Sequence, residues 1–126
     1  MPGYLPTIPV DAPDELVEAA RLAAGDKYNV NVFDGTDKPS GGSTDVGDVQ
    51  HIQPVFTFNT GGASGSGLHS VDFDIDDEEL AYIVTAKIFA LTAYRFLKGG
   101  AETARRLVDD YKPVFTKQEY LSLIHI

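Results

Sequence analysis

The chain has 126 residues, enough for one domain with a single core, and its apolar content of 43% is that of an ordinary soluble protein. Its formal net charge of −9 argues against nucleic acid or an anionic membrane as a partner held by general electrostatic attraction. The absence of cysteine excludes disulfides and thiolate metal sites. The N-terminus lacks a signal-peptide pattern, and no apolar run approaches the roughly 20 residues of a membrane span. We therefore expect a cytoplasmic protein with no membrane partner.

The first third of the chain predicts an extended segment, a helix and a strand. Residues 1–10 are rich in proline, which favours extended backbone. Residues 13–24 carry apolar side chains at helical spacing, with Asp11 as the predicted N-cap and Gly25 as the stop. Residues 28–32 alternate between apolar and polar, which indicates a half-buried strand.

The middle of the chain alternates between polar loops and one further strand. Residues 34–48 are dominated by Gly, Asp, Ser and Thr and are predicted to be loop. Residues 54–58 read as a short strand, and residues 59–67 as a second loop without core-forming side chains.

The last part of the chain predicts helices. Asp76 and Glu79 form an N-terminal capping pattern for a long helix that ends at the glycine pair 99–100. Its predicted apolar stripe is formed by Leu80, Ile83, Val84, Ile88 and Leu91. A third helix is expected over residues 101–112.

Thr116 and Glu119 are the predicted cap of a fourth helix, and the chain ends at Ile126 inside the apolar run of that helix. Two strands with three or four helices make an α/β protein whose sheet is incomplete, because sheets usually have about 4–6 strands.

His69 is the first candidate for chemistry. It lies in a turn between a Gly/Ser-rich loop and the long helix, where a metal-binding imidazole is readily presented. Asp72 or Asp45 is the candidate partner for the second ring nitrogen. From spacing alone, a histidine that caps the helix or faces solvent is the more common outcome. His51 and His125 have no supporting carboxylate pattern and are given no site role.

The loop at residues 41–48 is the second candidate. Its glycines allow backbone N–H groups to approach a ligand, and Ser43, Thr44 and Asp45 offer hydroxyl groups and a charge. It lacks the Gly-Lys-Ser/Thr ending of a P-loop. From composition alone, a polar turn remains the simpler interpretation.

The order of these two loops resembles the C-terminal part of the aminoacylase/carboxypeptidase-type metallopeptidase family. The sequence Pro-Ser-Gly-Gly-Ser-Thr-Asp at 39–45 is similar to the family's Pro-Ser-x-Gly-Gly/Ser-Glu-Asp loop, with Thr44 where the family has glutamate. The block from His69-Ser70 through Phe73 into the acidic start of the long helix matches a second motif. The resemblance covers most of the chain and is closest to the N-acyl-amino-acid and aminobenzoyl-glutamate hydrolases.

The resemblance implies a partial three-layer α/β/α catalytic domain of the zinc-exopeptidase type. Residues 1–10 would include the exit strand of a missing lid domain, and 11–126 would be the C-terminal segment of the catalytic domain. The end of the chain, residues 122–126, looks truncated or non-native. The parent enzyme is expected to be a homodimer through that lid domain.

The resemblance also implies amide hydrolysis of small N-acyl or N-aroyl amino acids, with release of an amino acid and a carboxylic acid. His69 would be a ligand of a site holding two divalent ions, zinc or manganese, and Ser43, Thr44 and Asp45 would line the substrate site. No catalytic residue is expected in this chain, because the family's base glutamate and other ligands belong to its N-terminal half. The isolated chain is therefore expected to be inactive.

A second interpretation comes from a different functional class. A free-standing acidic α/β module, binding a small ligand or a protein without catalysis, also accounts for the polar loops. It predicts a cooperative thermal transition for the isolated chain, whereas a fragment is expected to expose apolar surface. A structural domain without any site is the third interpretation.

Overall fold

The computed structural model describes residues 6–33, 49–67, 69–113 and 115–124, and this part of the chain is mainly helical with two small sheets. The elements in chain order are β1 (Thr7–Pro9), α1 (Asp14–Ala24), β2 (Asn31–Phe33), β3 (Ala63–Ser64), β4 (Asp74–Ile75), a π-helical segment (Glu79–Val84), α2 (Thr85–Asp110) and α3 (Lys117–Ile124).

A parallel pair of strands joined by α1 begins the described chain. β1 and β2 run parallel with Ile8 opposite Val32, and α1 makes the crossover that parallel strands require. The predicted helix is confirmed, and Gly25 is its C-cap with a positive φ of 59°. The predicted N-cap at Asp11 is wrong, because Pro13 occupies that position and makes no side-chain cap.

The predicted strand at 28–32 begins later than expected, at Asn31. The Tyr28 amide donates to the carbonyl of Ala24 at 3.3 Å, so the turn after α1 extends to Tyr28. Tyr28 and Val30 pack against the core instead of joining the ladder from residue 28 onward. The alternating pattern is correct for the burial of Tyr28 and Val30, whereas Val32 is 41% exposed and the strand begins later than the pattern predicts.

The predicted strand at 54–58 is wrong, because the structure has no strand over these residues. The chain first meets β1 at Asn59, whose amide and carbonyl exchange hydrogen bonds of 2.9 and 2.7 Å with Thr7. Phe56 and Phe58 instead contact rings of α2. Their apolar character therefore reflects packing against a helix and not membership of a sheet.

The hydrophobic core lies where α1 crosses the start of the long helix. Its buried members are Ile8, Leu16, Ala20, Ala23, Leu80, Val84 and Ile88. Of the predicted stripe, Ile83 is the exception, with 51% of its surface exposed. Residues 79–84 are π-helical, and the wider turn rotates Ile83 away from the face that an α-helix would give it.

The predicted end of the long helix at the glycine pair is confirmed. Backbone angles leave the helical region from Lys98 to Ala101, and Gly99 and Gly100 have φ of 63° and 82°. The helical residues 85–97 and 102–110 are therefore two separate helices, which we treat as two parts of α2. Left-handed backbone of this kind favours glycine.

The two predicted helix caps have different outcomes. The cap of α3 is confirmed, because the Glu119 amide donates to Thr116 Oγ1 at 3.1 Å and the Thr116 amide donates to Glu119 Oε1 at 3.4 Å. The predicted cap at Asp76 is wrong by one residue. The Leu80 amide donates to Asp77 Oδ1 at 3.1 Å, whereas Asp76 accepts the Ser64 hydroxyl at 2.6 Å.

The stretch Glu79–Asp110, counted through the break at Lys98–Ala101, is long and apolar enough to cross a membrane by length and composition, with a mean hydropathy of 1.4 in an 18-residue window. The sequence interpretation did not single it out. A core helix of a soluble protein that passes the same test is mostly buried, whereas 17% of this window is buried. The three-layer architecture and the domain limits at 1–10 and 11–126 stay predictions.

The position of the core predicts a contrast between two isoleucines. Ile88→Ala is expected to lower the free energy of unfolding by about 2–5 kcal/mol, because Ile88 has no exposed surface and its truncation leaves a cavity. Ile83→Ala, at an exposed position, is expected to cost less than about 1 kcal/mol. Urea denaturation in dilute solution measures both, and equal losses would contradict this placement of the core.

Candidate functional site

His69 lies in a loop closed by a short antiparallel ladder. β3 and β4 pair with Ala63 opposite Ile75 and Ser64 opposite Asp74. Residues 65–73 connect the two strands, and we call them the His69 loop. The ladder fixes both ends of this loop, so His69 is presented from an anchored base.

The base of the loop is joined to the helix start through Gly62. Its carbonyl accepts the amides of Asp76 at 2.8 Å and Asp77 at 3.1 Å. Gly62 is buried with a φ of +87°, and a Cβ there would lie 2.6 Å from the Asp77 carbonyl oxygen and 2.7 Å from the Ala81 nitrogen. Only glycine permits this close approach of two backbone segments.

Hydrogen bonds within the His69 loop hold its two sides together. The Asp72 carboxylate accepts the Ser66 hydroxyl at 2.6 Å and the Ser66 amide at 3.1 Å. The Ser70 hydroxyl donates to the Gly67 carbonyl at 2.6 Å. The hydroxyl of Ser66, followed by that of Ser70, lowers the pKa of Asp72 to about 2.

The imidazole of His69 is exposed at the end of this loop. Among the described residues, no hydrogen bond to its ring is found, and the expected partner Asp72 is occupied by Ser66. No group of three His, Cys, Asp or Glu side chains able to hold a metal occurs in the described part of the chain. Among the described residues, His69 therefore offers a metal ion one ligand and no accompanying group.

The other predicted site residues, Ser43, Thr44 and Asp45, lie outside the described residues. His125 is also outside them. His51 packs beside the rings of Phe115 and Tyr120, with centroids 5.2 Å away in each case. His51 is thus part of an aromatic cluster.

A contact that the sequence did not reveal links the turn after α1 to the start of the long helix. The Tyr28 hydroxyl donates to the Asp77 carboxylate at 2.8 Å. The Leu80 amide first, and then this hydroxyl, lower the pKa of Asp77. Burial first, and then its bond to Asp77, raise the pKa of Tyr28. Lys27 forms an ion pair with Glu79 beside it. The residues that follow the His69 loop are therefore tied to the turn after α1.

A cleft of about 310 Å³ lies away from the His69 loop, and sequence reasoning missed it. Its lining combines apolar side chains with two carboxylates and an amide: Pro9, Asp11, Ala12, Gln50, Pro54, Val55, Phe56, Thr57, Leu107, Asp110 and Tyr111. These residues are distant in sequence, so no local motif marks them.

The close approach at Gly62 predicts a contrast between two glycines. Gly62→Ala is expected to destabilise the chain by about 2–4 kcal/mol, since a side chain meets backbone at a positive φ. Gly67→Ala has open space around its Cβ, so it is the matched control and is expected to change stability by less than about 0.5 kcal/mol. Thermal denaturation distinguishes the two variants. A Gly62→Ala chain as stable as the control would contradict this anchoring.

The hydrogen bonds to Asp72 predict its titration. Because the folded pKa of about 2 lies below the ordinary 3.8, this carboxylate stabilises the loop above pH 3.8, and that contribution disappears as the pH falls to about 2. Ser66→Ala is expected to move the pKa of Asp72 back toward 3.8, as measured by NMR of the carboxyl carbon. Ser64→Ala, which removes a hydroxyl bonded to Asp76, is expected to leave it unchanged. An equal shift in both variants would refute the assignment.

Comparison of the chain with protein-family models, with curated proteins and with solved structures finds no match.

Proposed function

We propose that this chain is the C-terminal part of a metal-dependent amidohydrolase and that His69 is one of its metal ligands. The observation that supports this proposal is the His69 loop. Its serines and Asp72 bond to one another and to the backbone, while the imidazole of His69 stays exposed and available. A metal ligand needs an accessible nitrogen lone pair on a backbone that is already positioned.

The chemistry of the donor set limits what the chain does alone. Zinc sites use three or four protein ligands, and the described residues bring no such group together. In this proposal the remaining ligands and the glutamate base come from a preceding part of the enzyme, as the resemblance implies. The isolated chain is then inactive and binds a divalent ion weakly.

The proposed reaction is hydrolysis of the amide bond of an N-acyl or N-aroyl amino acid. A zinc or manganese ion held there would polarise the amide carbonyl and lower the pKa of a bound water. His69 would hold the ion through one ring nitrogen. Ser43, Thr44 and Asp45 would line the substrate site, as the resemblance implies. The substrate is a small molecule, and the parent enzyme is a cytoplasmic homodimer.

The second candidate function is a small-ligand binding module, and the 310 Å³ cleft favours it. Ligand sites often have volumes from about 300 Å³ and combine apolar walls with a few polar groups. Asp11 and Asp110 would select a ligand that carries a positive charge. This candidate has no use for His69, which is what separates it experimentally from the first.

The ligand role of His69 predicts a response to metal in the isolated chain. Addition of Zn²⁺ is expected to shift the ring signals of His69 in proton NMR, with the weak affinity of a single ligand. His51 is the internal control, because its ring packs beside Phe115 and Tyr120. In the parent enzyme, His69→Ala is expected to lower turnover of an N-acyl amino acid by about 100-fold or more and to reduce metal content. His51→Ala is expected to leave the metal content unchanged.

The parent enzyme is obtained from the genomic reading frame around this chain. A frame that encodes His-, Asp- and Glu-bearing ligand motifs upstream supports the hydrolase. An in-frame stop directly upstream of Met1 would leave His69 without other ligands and favour the binding module. The ligand role would also be wrong if His69→Ala left metal content and turnover unchanged in the parent.

A further inference from the structure

A second cavity lies between the chain at residues 54–58 and α2, and its volume is about 310 Å³. It adjoins the first cleft through Pro54 and Phe56, which line both, whereas Asp11 and Asp110 line the first cleft alone. Phenylalanine is the most frequent residue of its lining, so we call it the phenylalanine pocket. The four phenylalanines are Phe56, Phe58, Phe89 and Phe96.

Two ring pairs connect the walls of the phenylalanine pocket. The Phe58 and Phe89 rings have centroids 4.9 Å apart and an interplanar angle of 61°, and those of Phe56 and Phe96 are 6.3 Å apart at 69°. Aromatic rings prefer this edge-to-face arrangement. Phe89 nevertheless stays 62% exposed and Phe56 36% exposed. The rings therefore keep free surface that a further ring can contact.

Thr92 brings a hydroxyl group to the phenylalanine pocket. Its Oγ1 is buried, and among the described residues it is the buried side-chain polar atom that lacks a hydrogen-bond partner. A helical threonine often donates to the carbonyl four residues earlier, here that of Ile88, but this bond is not made. Rotation about the Cα–Cβ bond exchanges Oγ1 with Cγ2, and helical threonine populates two such rotamers. The hydroxyl is therefore available to a molecule in the pocket.

The size and charge of the pocket limit what it holds. An apolar cavity of about 150 Å³ is enough to bind benzene, so a volume of 310 Å³ admits one ring with a short substituent. The described residues that line the pocket include no ionisable side chain. A charged group would lose its hydration there without gaining a partner of opposite charge. The occupant is therefore uncharged.

We propose that the phenylalanine pocket binds a small uncharged aromatic molecule with one oxygen, which hydrogen-bonds to the Thr92 hydroxyl. The edges of the bound ring contact the faces of the phenylalanines, and the hydroxyl either donates to the oxygen or accepts from it. An aliphatic chain fills the same volume without the edge-to-face contacts. The proposal does not depend on the metal site, because no residue of the His69 loop lines the pocket.

NMR titration of the chain with benzyl alcohol and with toluene tests the role of the hydroxyl. Benzyl alcohol is expected to shift the amide signals of residues 89–96 with a dissociation constant of about a millimolar, as its small size implies. Thr92→Val keeps the shape of the side chain and is expected to weaken benzyl alcohol binding by about three- to tenfold. Toluene lacks the oxygen, so it is expected to bind this variant no less tightly than wild type. A variant that binds benzyl alcohol as wild type does would overturn the proposal.

A second pair of variants tests the place of binding. Ala93 and Ala90 are both exposed on α2, but Ala93 lines the pocket and Ala90 does not. Ala93→Phe is expected to fill the pocket and abolish binding, whereas Ala90→Phe is the matched control and is expected to bind as wild type does. Circular dichroism checks that each variant remains folded. Equal binding by the two variants would place the probe elsewhere and contradict the proposal.

The aromatic character of the ligand and the state of Thr92 are tested separately. Cyclohexylmethanol has the same hydroxyl on a saturated ring and is expected to bind about threefold more weakly than benzyl alcohol. Equal or tighter binding would rule out the aromatic class. Without ligand, Thr92→Val is expected to raise the thermal midpoint by a few degrees, because it removes a buried hydroxyl that has no partner. A lower midpoint would mean that the chain itself bonds this hydroxyl, and the proposal would fail.

Discussion

The contact between Gly62 and the beginning of the helical segment is the constraint on which the candidate site depends. One carbonyl accepts the amides of Asp76 and Asp77, and the backbone of Ala81 lies close enough that no side chain fits between them. The contact joins the end of the extended chain to the first helical turn. It thereby fixes where β3 begins and β4 ends, and hence where His69 stands.

The helix start receives support from two directions. From one side the β3–β4 ladder holds the His69 loop, and from the other Tyr28 donates to Asp77. The Asp77 carboxylate accepts the Tyr28 hydroxyl and also caps the helix by accepting the Leu80 amide. The acidic residues before the long helix therefore have different roles. Asp72 orders the loop, Asp76 bonds Ser64, and Asp77 caps the helix.

The sequence predicted helices better than strands, for physical reasons. The first helix, the break at Gly99 and the cap at Thr116 depend on local chemistry, and each is found. Residues 54–58 look like a strand because their apolar side chains contact helix rings, and only their tertiary partners reveal the difference. The exposure of Ile83 depends on a π turn, which periodicity does not encode.

The sequence predicts that His69 lies in a loop, but it does not predict the hydrogen bonds within that loop. The predicted position of His69 before the long helix is confirmed. Of its two candidate partners, Asp72 bonds Ser66 instead, and Asp45 lies outside the described residues. A carboxylate in a serine-rich loop has several possible donors, and spacing does not choose among them. The distant residues of the 310 Å³ cleft, such as Asp11 and Asp110, share no pattern at all.

The interruption of α2 at Gly99 and Gly100 has a practical consequence for engineering. A Cβ built at either glycine meets no heavy atom within 4 Å, and both glycines are exposed. The backbone is already non-helical there, so residues added between the two glycines do not interrupt the helix on either side. This junction is therefore the natural place to insert a fluorescent reporter or an affinity tag without disturbing residues 85–97 or the loop that presents His69.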